Sequence, residues 1–297
     1  MGRSKDLVAE LADRGWTVDL LKASSAEQVA DVIDTAAGNG MSRLVLAGGD
    51  GLIHHALPAL VGSSITIGIV PIGTGNDFVR GLGLPTKRRA AIDAAVGDGV
   101  MDVDVISLRR DSKVRYAATV VTAGFSGRVN ARANKLSGRP GFPKGASRYS
   151  LATVAELAAL EPVAFTMTVD DLPDVELEAS LLAVGNTKFF GGGMAVCPSA
   201  DFADGAMELV TIDPVAKLTF MRVLPRVFSG KYVRHPAVSS QRCRKLVISS
   251  AEPLWADGEL LFADDHADSW PLSEEREEYA TELSVEPMAL AVAAATG

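Results

Sequence analysis

The sequence predicts an α/β protein that has a mostly parallel sheet in its N-terminal part and a second, β-rich domain after it. Up to about residue 100, apolar strand-like segments alternate with helical ones, a pattern typical of a parallel sheet covered on both faces. Beyond that point, strand-like segments follow one another with few helices between them. The chain has 297 residues, 47% of them hydrophobic, which is enough for two folded domains with sizeable cores.

The elements of the N-terminal part follow from apolar runs and turn signals. Ser24 and Glu27 fit a capping box, which favours a helix start, and the Gly-Asn-Gly sequence at 38–40 ends that helix. Uninterrupted apolar runs are typical of buried parallel strands. The expected elements are a helix at 7–14, a strand at 16–21, a helix at 24–37, a strand at 44–47, a helix up to residue 60 and a strand at 65–70.

The second part is predicted to consist mainly of strands. These strands are expected at 103–108, 114–122, 163–169, 175–184, 207–212 and 244–249, with helices at 148–160 and 216–228. The acidic stretch 263–283 is expected to be a surface loop. The alanine-rich segment 288–295 is compatible with either a strand or a helix.

Charge and cysteine content exclude several classes of protein. The net charge of −8 argues against a nucleic-acid-binding protein. Cys197 and Cys243 have neither zinc-site nor disulfide-framework spacing, so two reduced cysteines in a cytoplasmic protein are expected. The basic residues are concentrated, however, in two stretches without any acidic residue, 112–155 and 214–251, and such stretches create strong local fields.

The first candidate ligand-binding motif is formed by Gly48, Gly49, Asp50 and Gly51, between a buried strand and a helix start. Glycines allow the backbone to approach a ligand closely, and a helix N-terminus offers free N–H groups to phosphate. Asp50 beside a phosphate site indicates a bridging divalent cation. A tight strand–helix turn without any ligand is the alternative.

The second motif, PIGTGNDF at 71–78, also follows a buried strand. It supplies a hydroxyl, an amide and a second carboxylate, and its candidate binding residues are Gly73, Thr74, Gly75, Asn76 and Asp77. Ligands bind open α/β sheets at the carboxyl ends of strands, and the two loops should meet there. The pair therefore predicts a nucleotide–magnesium cleft.

The two loops resemble the signature pair of the diacylglycerol kinase catalytic family, which includes bacterial lipid kinases and sphingosine kinases. GGDG alone also occurs in NAD kinases and phosphofructokinases, whereas GTGNDF is specific. Similar segments follow in the family's order at 123–125, 186–205 and 255–259, so that the resemblance extends from about residue 7 to 260.

The resemblance implies a nucleotide-binding domain and a β-sandwich-like domain with the active cleft between them. We expect residues 1–102 to form the first domain, 103–283 the lipid-substrate domain, and 284–297 to return to the first domain. Family members begin with a strand and an Asn-Pro-x-x-Gly turn that contacts the nucleotide. This chain starts about where that turn ends, so we expect the first domain to lack its first strand.

The resemblance also assigns roles to residues. ATP should contact residues 48–53 and Thr74, while Asp50 would hold the terminal phosphates through Mg²⁺. Glu259, in the DGE sequence at 257–259, matches the position that accepts the proton of the substrate hydroxyl, and Asp257 is an alternative base.

A second, structural magnesium site known in bacterial relatives would fall on Asp204, with main-chain carbonyls near Asp201 and Ala206. His54 and His55 stand where the family has an Asn-Glu pair. Because adjacent helical residues point in different directions, we expect the two histidines to lie on the helix surface rather than to share a metal.

The resulting functional prediction is an ATP-dependent kinase that phosphorylates a hydroxyl of diacylglycerol or a related lipid. The expected partners are ATP, Mg²⁺ and a lipid at the inner face of the membrane, with attachment through the basic, apolar-rich segments 128–148 and 217–245; the resemblance also allows a homodimer. The alternatives are a lipid-binding or regulatory homologue that has lost catalysis, which the missing turn would explain, and another GGDG-type kinase such as an NAD kinase.

Overall fold

The computed structural model describes residues 2–135, 156, 161–262 and 278–295. The helices in these ranges are α1 (Gly2–Ala12), α2 (Gln28–Gly38), α3 (Asp50–Leu60), α4 (Asp77–Gly81), α5 (Arg88–Ala95), α6 (Phe125–Lys135) and α7 (Lys217–Val223), followed by 3₁₀ helices at Leu224–Ser229 and Lys231–Arg234. None of these helices is long and apolar enough to cross a bilayer. The helix predicted at 148–160 and the segment 263–277 lie outside the described residues, apart from residue 156.

The described strands number sixteen and form two large sheets and one small one. They are β1 (Arg43–Gly48), β2 (Thr66–Pro71), β3 (Gly99–Arg110), β4 (Lys113–Ala117), β5 (Val120–Gly124), β6 (Val163–Val169), β7 (Val175–Ala179), β8 (Leu181–Gly185), β9 (Phe189–Phe190), β10 (Met194–Ala195), β11 (Met207–Ile212), β12 (Val238–Cys243), β13 (Lys245–Ser250), β14 (Trp255–Ala256), β15 (Glu259–Leu260) and β16 (Tyr279–Ala294).

The first sheet is organised around the long strand β16. One part of β16 pairs with β2 in parallel, and β2 pairs in parallel with β1. Another part of β16 pairs antiparallel with β13, and the sheet continues from β13 to β6 and β7. Strand β3 runs antiparallel along β16 and carries β4 at its other edge. The second sheet is antiparallel, with the order β12-β11-β8-β5-β14-β15. The predicted combination of an α/β part with a β-rich part is confirmed.

Two apolar cores explain these layers. Helix α3 buries Ile53, Ala56, Leu57 and Leu60, spaced three and four residues apart, against the parallel strands. Between the two large sheets lies a second core, in which fully buried side chains of β3, β8 and β13 meet; they include Leu108, Leu182 and Leu246. This face-to-face packing is that of a β-sandwich.

Two predicted strands are each divided in two, because the chain passes from one sheet to the other. The segment predicted at 114–122 is β4 in the first sheet and β5 in the second, and residues 118–119 make the crossing. In the same way, Ser180 separates β7 from β8 in the segment predicted at 175–184. A continuous apolar pattern does not reveal such a crossing, since both halves remain buried.

The strand predicted at 16–21 is wrong. In the described part of the chain β1 hydrogen-bonds only to β2, and residues 16–21 form no ladder along its outer edge. The segment is held instead by packing: Val18 and Leu21 contact the cores, and the Arg43 guanidinium lies 5.4 Å from the centre of the Trp16 ring.

The capping box is also wrong, because α2 begins only at Gln28. Glu27 occupies its N-cap position without a side-chain capping bond, and the main-chain N–H of Ser24 donates instead to Oε1 of Gln28 (3.3 Å). In the segment 263–283, the part from residue 279 onwards belongs to strand β16 and is not a loop. The open choice at 288–295 is resolved as strand up to Ala294. The predicted domain limits stay a prediction, since β3 crosses the boundary at 102–103.

Candidate active site

The two glycine-rich loops lie side by side at the carboxyl ends of β1 and β2, as predicted. A Cβ atom added at Gly73 would lie 2.6 Å from the Cα atom of Gly49, and one added at Gly48 would lie 2.6 Å from a methyl group of Leu52. The main-chain N–H of Ile72 donates to the carbonyl of Gly48 (2.8 Å). Glycine is therefore required at 49 and 73 because the backbones of the two loops are in contact.

Asp50 is the first residue of α3 and connects the two loops. Its Oδ1 atom accepts a hydrogen bond from the main-chain N–H of Phe78 (3.1 Å). Its Oδ2 atom would lie 3.0 Å from a Cβ atom at Gly75, so the carboxylate fills the space that this glycine leaves. The first N–H groups of a helix lack intrahelical partners, and with the positive end of the helix dipole they favour an anion at the start of α3.

Asn76 adopts the left-handed conformation (φ 52°, ψ 43°) that turns the second loop into α4. Its side-chain Nδ2 donates to the carbonyl of Gly73 (2.8 Å), which stabilises the loop. Its Oδ1 atom is buried and has no hydrogen-bond partner among the described residues. Thr74, in the same loop, is exposed. The second loop thus offers a hydroxyl and an unused amide oxygen.

Asp77 connects the second loop to the glycine sequence at 191–193. The main-chain N–H groups of Gly192 and Gly193 each donate to one of its carboxylate oxygens, both at 2.7 Å. Burial raises the pKa of Asp77 and the nearby negative charge of Asp50 adds to this, although the two N–H bonds oppose it. Both oxygens are thus occupied by the protein itself, and the nucleotide-binding role of Asp77 stays a prediction.

Asp257 is fully enclosed and accepts four hydrogen bonds. Its Oδ1 atom accepts bonds from the N–H of Thr119 (2.7 Å) and from the Thr119 hydroxyl (2.6 Å), while Oδ2 accepts one from the N–H of Ala118 (3.1 Å). The fourth comes from Nδ1 of His54 (3.0 Å). Burial alone would raise the pKa of Asp257. The hydrogen bond and the charge of His54, together with the hydrogen bonds from Thr119 and Ala118, outweigh burial and lower the pKa.

His54 is therefore not a surface residue, and that prediction is wrong. Its side chain is only 12% exposed. Burial by itself lowers the pKa of an imidazole, but the hydrogen bond and charge of Asp257 and the charge of Glu259 together raise the pKa of His54, against an opposing contribution from Arg115. Sequence reasoning could not reveal this pair, since 203 positions separate its two members.

Glu259 lies in the short strand β15, close to the start of α3. Its Oε1 atom would be 3.5 Å from a Cβ atom at Gly51, so its carboxylate faces the first loop. The side chain is half-buried and, among the described residues, makes no hydrogen bond. Of the two carboxylates in the DGE sequence, Glu259 faces the predicted nucleotide site and Asp257 is enclosed in the protein.

The residues predicted for a second magnesium site lie close together. Asp204 accepts the N–H of Ala206 (3.0 Å) and an Arg242 guanidinium bond (2.5 Å), and Asp201 accepts the N–H of Ala203 (3.2 Å). Within the described ranges, no group of three or more His, Cys, Asp or Glu side chains is arranged for a metal. The expected ligands are mainly carbonyls, so the site stays a prediction.

Asp104 is a buried acidic residue that sequence reasoning missed. It is 1% exposed, and its carboxylate accepts the main-chain N–H groups of Gly205 and Met288, both at 2.8 Å. It thereby joins β3 to the loop that carries Asp204 and to the bulge in β16. The available signal was an aspartate between two buried valines, Val103 and Val105.

Comparisons with known proteins define first the class and then the family. Residues 3–108 match the diacylglycerol kinase catalytic domain model, and residues 119–294 match the YegS C-terminal NAD kinase beta sandwich-like domain model. A diacylglycerol kinase of Mycobacterium tuberculosis is 32% identical over 256 residues, which cover 85% of this chain and 82% of that protein. The enzyme class is thus a kinase, as predicted, and the chain belongs to the diacylglycerol kinase catalytic family.

A further relative is more distant in sequence, and two solved structures share the fold. A probable YegS-like lipid kinase of Xanthomonas campestris is 27% identical over 260 residues, covering 84% of this chain and 82% of that protein. A putative diacylglycerol kinase of Bacillus anthracis has a similar fold, with a TM-score of 0.67 at 16% identity over 92% of this chain and 84% of that one. An NAD kinase of Archaeoglobus fulgidus in complex with ATP shares the fold at a TM-score of 0.52 and 14% identity, covering 98% and 89%.

Proposed function

We propose that the protein transfers the terminal phosphate of ATP to a hydroxyl group of diacylglycerol or a related lipid. The observation that carries the proposal is the position of Glu259, whose carboxylate faces the N-terminus of α3 where Asp50 and the two glycine loops meet. The names of the relatives from Mycobacterium tuberculosis and Xanthomonas campestris support a lipid as the acceptor.

The residues of the cleft fit a nucleotide. The contact between Gly49 and Gly73 leaves no room for side chains, so a phosphate chain could approach the backbone of both loops. The N-terminus of α3 supplies N–H donors and a positive helix end. The buried, unpartnered Oδ1 of Asn76 is an acceptor that remains available, and Thr74 adds an exposed hydroxyl.

The acidic groups of the cleft also fit a magnesium ion. Asp50 uses Oδ1 for the N–H of Phe78, and its Oδ2 faces the gap at Gly75. Mg²⁺ prefers carboxylate oxygens together with phosphate oxygens and water, and Asp50 would hold it. When bound, the ion neutralises charge that develops on the phosphoryl group.

Glu259 is the group we assign as the base. The lipid hydroxyl oxygen would form a bond to the terminal phosphorus, the bond from that phosphorus to the bridging oxygen would break, and ADP would leave. The hydroxyl proton would pass to the Glu259 carboxylate, which has no competing hydrogen bond among the described residues. Asp257 is less suited to this role, because its two oxygens already accept four bonds.

The lipid membrane would bind to the surface formed by α7 and the following 3₁₀ helices. Leu218, Met221 and Phe228 expose 56%, 52% and 62% of their surface, next to exposed cations of the stretch 217–234. Phe220 and Tyr232, within the segment 217–245 that is predicted to attach to the membrane, are buried and belong to the core instead. Apolar side chains among cations are suited to an anionic lipid surface.

The segment 128–148 supports membrane contact less well in its described portion. Nη2 of Arg128 lies 2.9 Å from Oε1 of Glu252, and Arg132 is paired with Glu156, so both cations are neutralised within the protein. The remaining cations of that segment, from Lys135 onwards, lie where no side chain is described.

The direct test is transfer of labelled phosphate from ATP in mixed micelles that contain diacylglycerol, sphingosine or ceramide, with NAD as a water-soluble acceptor in parallel. We expect transfer to one of the lipids, dependent on Mg²⁺ and lost in Glu259→Gln. Transfer to NAD alone would replace the lipid by a nucleotide acceptor. Lipid binding without transfer to any acceptor would favour the regulatory alternative.

A further inference from the structure

His54 connects the two halves of the cleft. It lies four residues after Asp50 in α3, so the two side chains project from the same face of that helix. From this position its Nδ1 atom reaches Oδ2 of Asp257 at 3.0 Å. A residue of the helix that begins at the nucleotide loops is thereby bonded to the turn at 257–258, two residues before the assigned base, Glu259.

The partner of His54 is itself fixed at a crossing between the two sheets. Ala118 and Thr119 form the passage from β4 to β5, and both donate main-chain bonds to Asp257. The main-chain N–H of Asp257 in turn donates to the carbonyl of Val120 (3.2 Å). The Asp257 carboxylate is thus a junction at which the β-sandwich is anchored, and His54 is the side chain that connects α3 to this junction.

The turn needs such an anchor because its backbone is unusual. Asp257 has φ 53° and Gly258 has φ 93°, both in the left-handed region. For Asp257 this conformation has an energetic cost, and it persists only where surrounding contacts fix it. The strands on either side, β14 and β15, contain two residues each, so they contribute few ladder bonds of their own. The position of Glu259 therefore depends strongly on the bonds that Asp257 makes.

The charges around His54 favour the bond. Asp257 and Glu259 face the imidazole from the turn and from β15, Arg115 faces it from β4, and the ring of His55 in the same helix lies edge-on at 5.4 Å. Burial of the imidazole and the charge of Arg115 lower its pKa, but the bond and charge of Asp257 and the charge of Glu259 outweigh them, so the pKa of His54 is raised. A protonated His54 would offset the negative charge of Asp257 and Glu259 beside the predicted phosphate site.

We propose that His54 is a positioning residue for catalysis, which holds Glu259 at the start of α3 through its hydrogen bond to Asp257. The inference rests on the proposed function, since it assumes that Glu259 is the base. His54 itself makes no contact with the reacting atoms in this proposal. Its effect should therefore appear in the rate of phosphoryl transfer and not in the binding of ATP.

The test compares three variants of the complete chain: His54→Leu, His54→Asn and the matched control His55→Leu. Leucine removes the bond, whereas the Nδ2 atom of asparagine can occupy the place of the imidazole Nδ1 and retain it. We expect His54→Leu to lower kcat on the order of 10²-fold, the size of effect that a misplacement of about 1 Å produces, with the KM for ATP almost unchanged. His54→Asn should recover most of the loss, and His55→Leu should stay close to the unmodified protein.

Equal kcat values in His54→Leu and His55→Leu would overturn the inference, and so would a loss that asparagine does not relieve. A loss seen mainly in the KM for ATP would also overturn it, because it would place His54 in nucleotide binding. If His54→Leu fails to fold by circular dichroism, His54→Gln replaces it, since its longer side chain places the amide beyond the Nδ1 position, and the same outcomes apply.

A second readout separates this inference from the proposed function. The imidazole ¹⁵N signals of His54 in the unmodified protein should report a protonated Nδ1 held by Asp257, and Asp257→Asn should shift its titration to lower pH. This result requires no kinase activity. An unmodified protein that transfers phosphate to no lipid would refute the proposed function, whereas a normal imidazole titration in an active protein would refute the role of His54.

Discussion

The main-chain N–H of Phe78 donates a 3.1 Å hydrogen bond to Oδ1 of Asp50, so that the carboxylate of the first glycine loop is oriented by the second loop. The contact leaves Oδ2 directed at the gap beside Gly75. The orientation of this acidic group is thus set before any ligand binds. Each loop alone would be an ordinary strand–helix turn, and their contact creates the cleft.

Asp50→Asn should remove most of the phosphoryl transfer while the fold persists. The asparagine oxygen can still accept the Phe78 bond, but the negative charge that would hold Mg²⁺ is gone. We expect kcat to fall by about 10²- to 10³-fold, the usual cost of losing one electrostatic group at a reacting centre. Asp98→Asn, at an exposed position between α5 and β3, is the control and should keep full activity. Retained activity in Asp50→Asn would contradict its metal role.

Gly73→Ala should separate the two loops. A methyl group there would lie 2.6 Å from the Cα atom of Gly49 and 2.9 Å from Oδ1 of Asn76, both too close for the loops to keep their positions. We expect a loss of about 1–3 kcal/mol in the free energy of unfolding, as for other overpacked sites, together with a weakened affinity for ATP. Gly38→Ala is the control, because a methyl group there meets nothing within 4 Å. Equilibrium unfolding and nucleotide titration would measure both effects.

Glu259→Gln should affect mainly the rate of phosphoryl transfer, whereas Asp257→Asn should affect mainly the stability of the protein. Glu259→Gln removes the proposed base and should lower kcat by about 10²- to 10⁴-fold with little change in stability. Asp257→Asn leaves buried donors at Ala118 and Thr119 with a poorer acceptor, and should cost about 1–3 kcal/mol of stability. Kinetics and denaturant unfolding of the same two variants decide the assignment. A stable but inactive Asp257→Asn beside an active Glu259→Gln would make Asp257 the base.

The pair of His54 and Asp257 should make stability depend on pH. The raised pKa of His54 means that its contribution is fully present below about pH 6.5, the ordinary value, and is lost as pH rises through the folded-state pKa. The lowered pKa of Asp257 means that its contribution is present above about pH 3.9 and is lost as pH falls through the folded-state value.

The free energy of unfolding should therefore fall as pH rises above about 6.5 in the unmodified protein. In His54→Asn, this part of the slope should disappear, while His55→Asn should retain it. Urea unfolding at a series of pH values measures the slope. An identical slope in all three proteins would show that His54 does not titrate with the fold.

Replacing Leu218, Met221 and Phe228 together by serine should weaken binding to vesicles rich in anionic lipid. Each such side chain contributes about 1.5–3 kcal/mol when fully buried, so we expect the vesicle partition coefficient to fall at least about tenfold. The matched control changes Leu172 and Val175, which are 61% and 52% exposed at the β6–β7 hairpin. Equal loss in both variants, or none in the first, would contradict the docking surface.

The sequence was most informative about features that depend on interactions within a few residues. Glycines next to a buried strand predicted both loops, and uninterrupted apolar runs predicted β1 and β2 closely. The carboxylates Asp50 and Glu259 could be singled out through their motifs. Their approach to one another through Gly51 could only be anticipated from the resemblance, since nothing local connects residues 50 and 259.

What the sequence could not reveal depends on contacts between distant segments. Residues 16–21 have the composition of a strand, but a strand also needs a neighbouring strand to pair with. In the described structure these residues pair with none. His54 reads as an exposed helical residue until Asp257 is brought beside it. The bonds that Asp77 accepts from Gly192 and Gly193 could not be foreseen either, because these glycines follow more than a hundred residues later.

The position of strand β16 near the end of the sequence implies that the first sheet is completed late in folding. It supplies the second neighbour of β2 and also pairs with β3 and β13, yet most of the chain is synthesised between β2 and β16. Pairings between such distant segments form slowly, because a large loop must close first. Until residues 279–294 have left the ribosome, the nucleotide-binding half has an open sheet edge, which can pair wrongly with other chains. We therefore expect the sheet of the nucleotide-binding half to be completed only after β16 has been synthesised, late in folding.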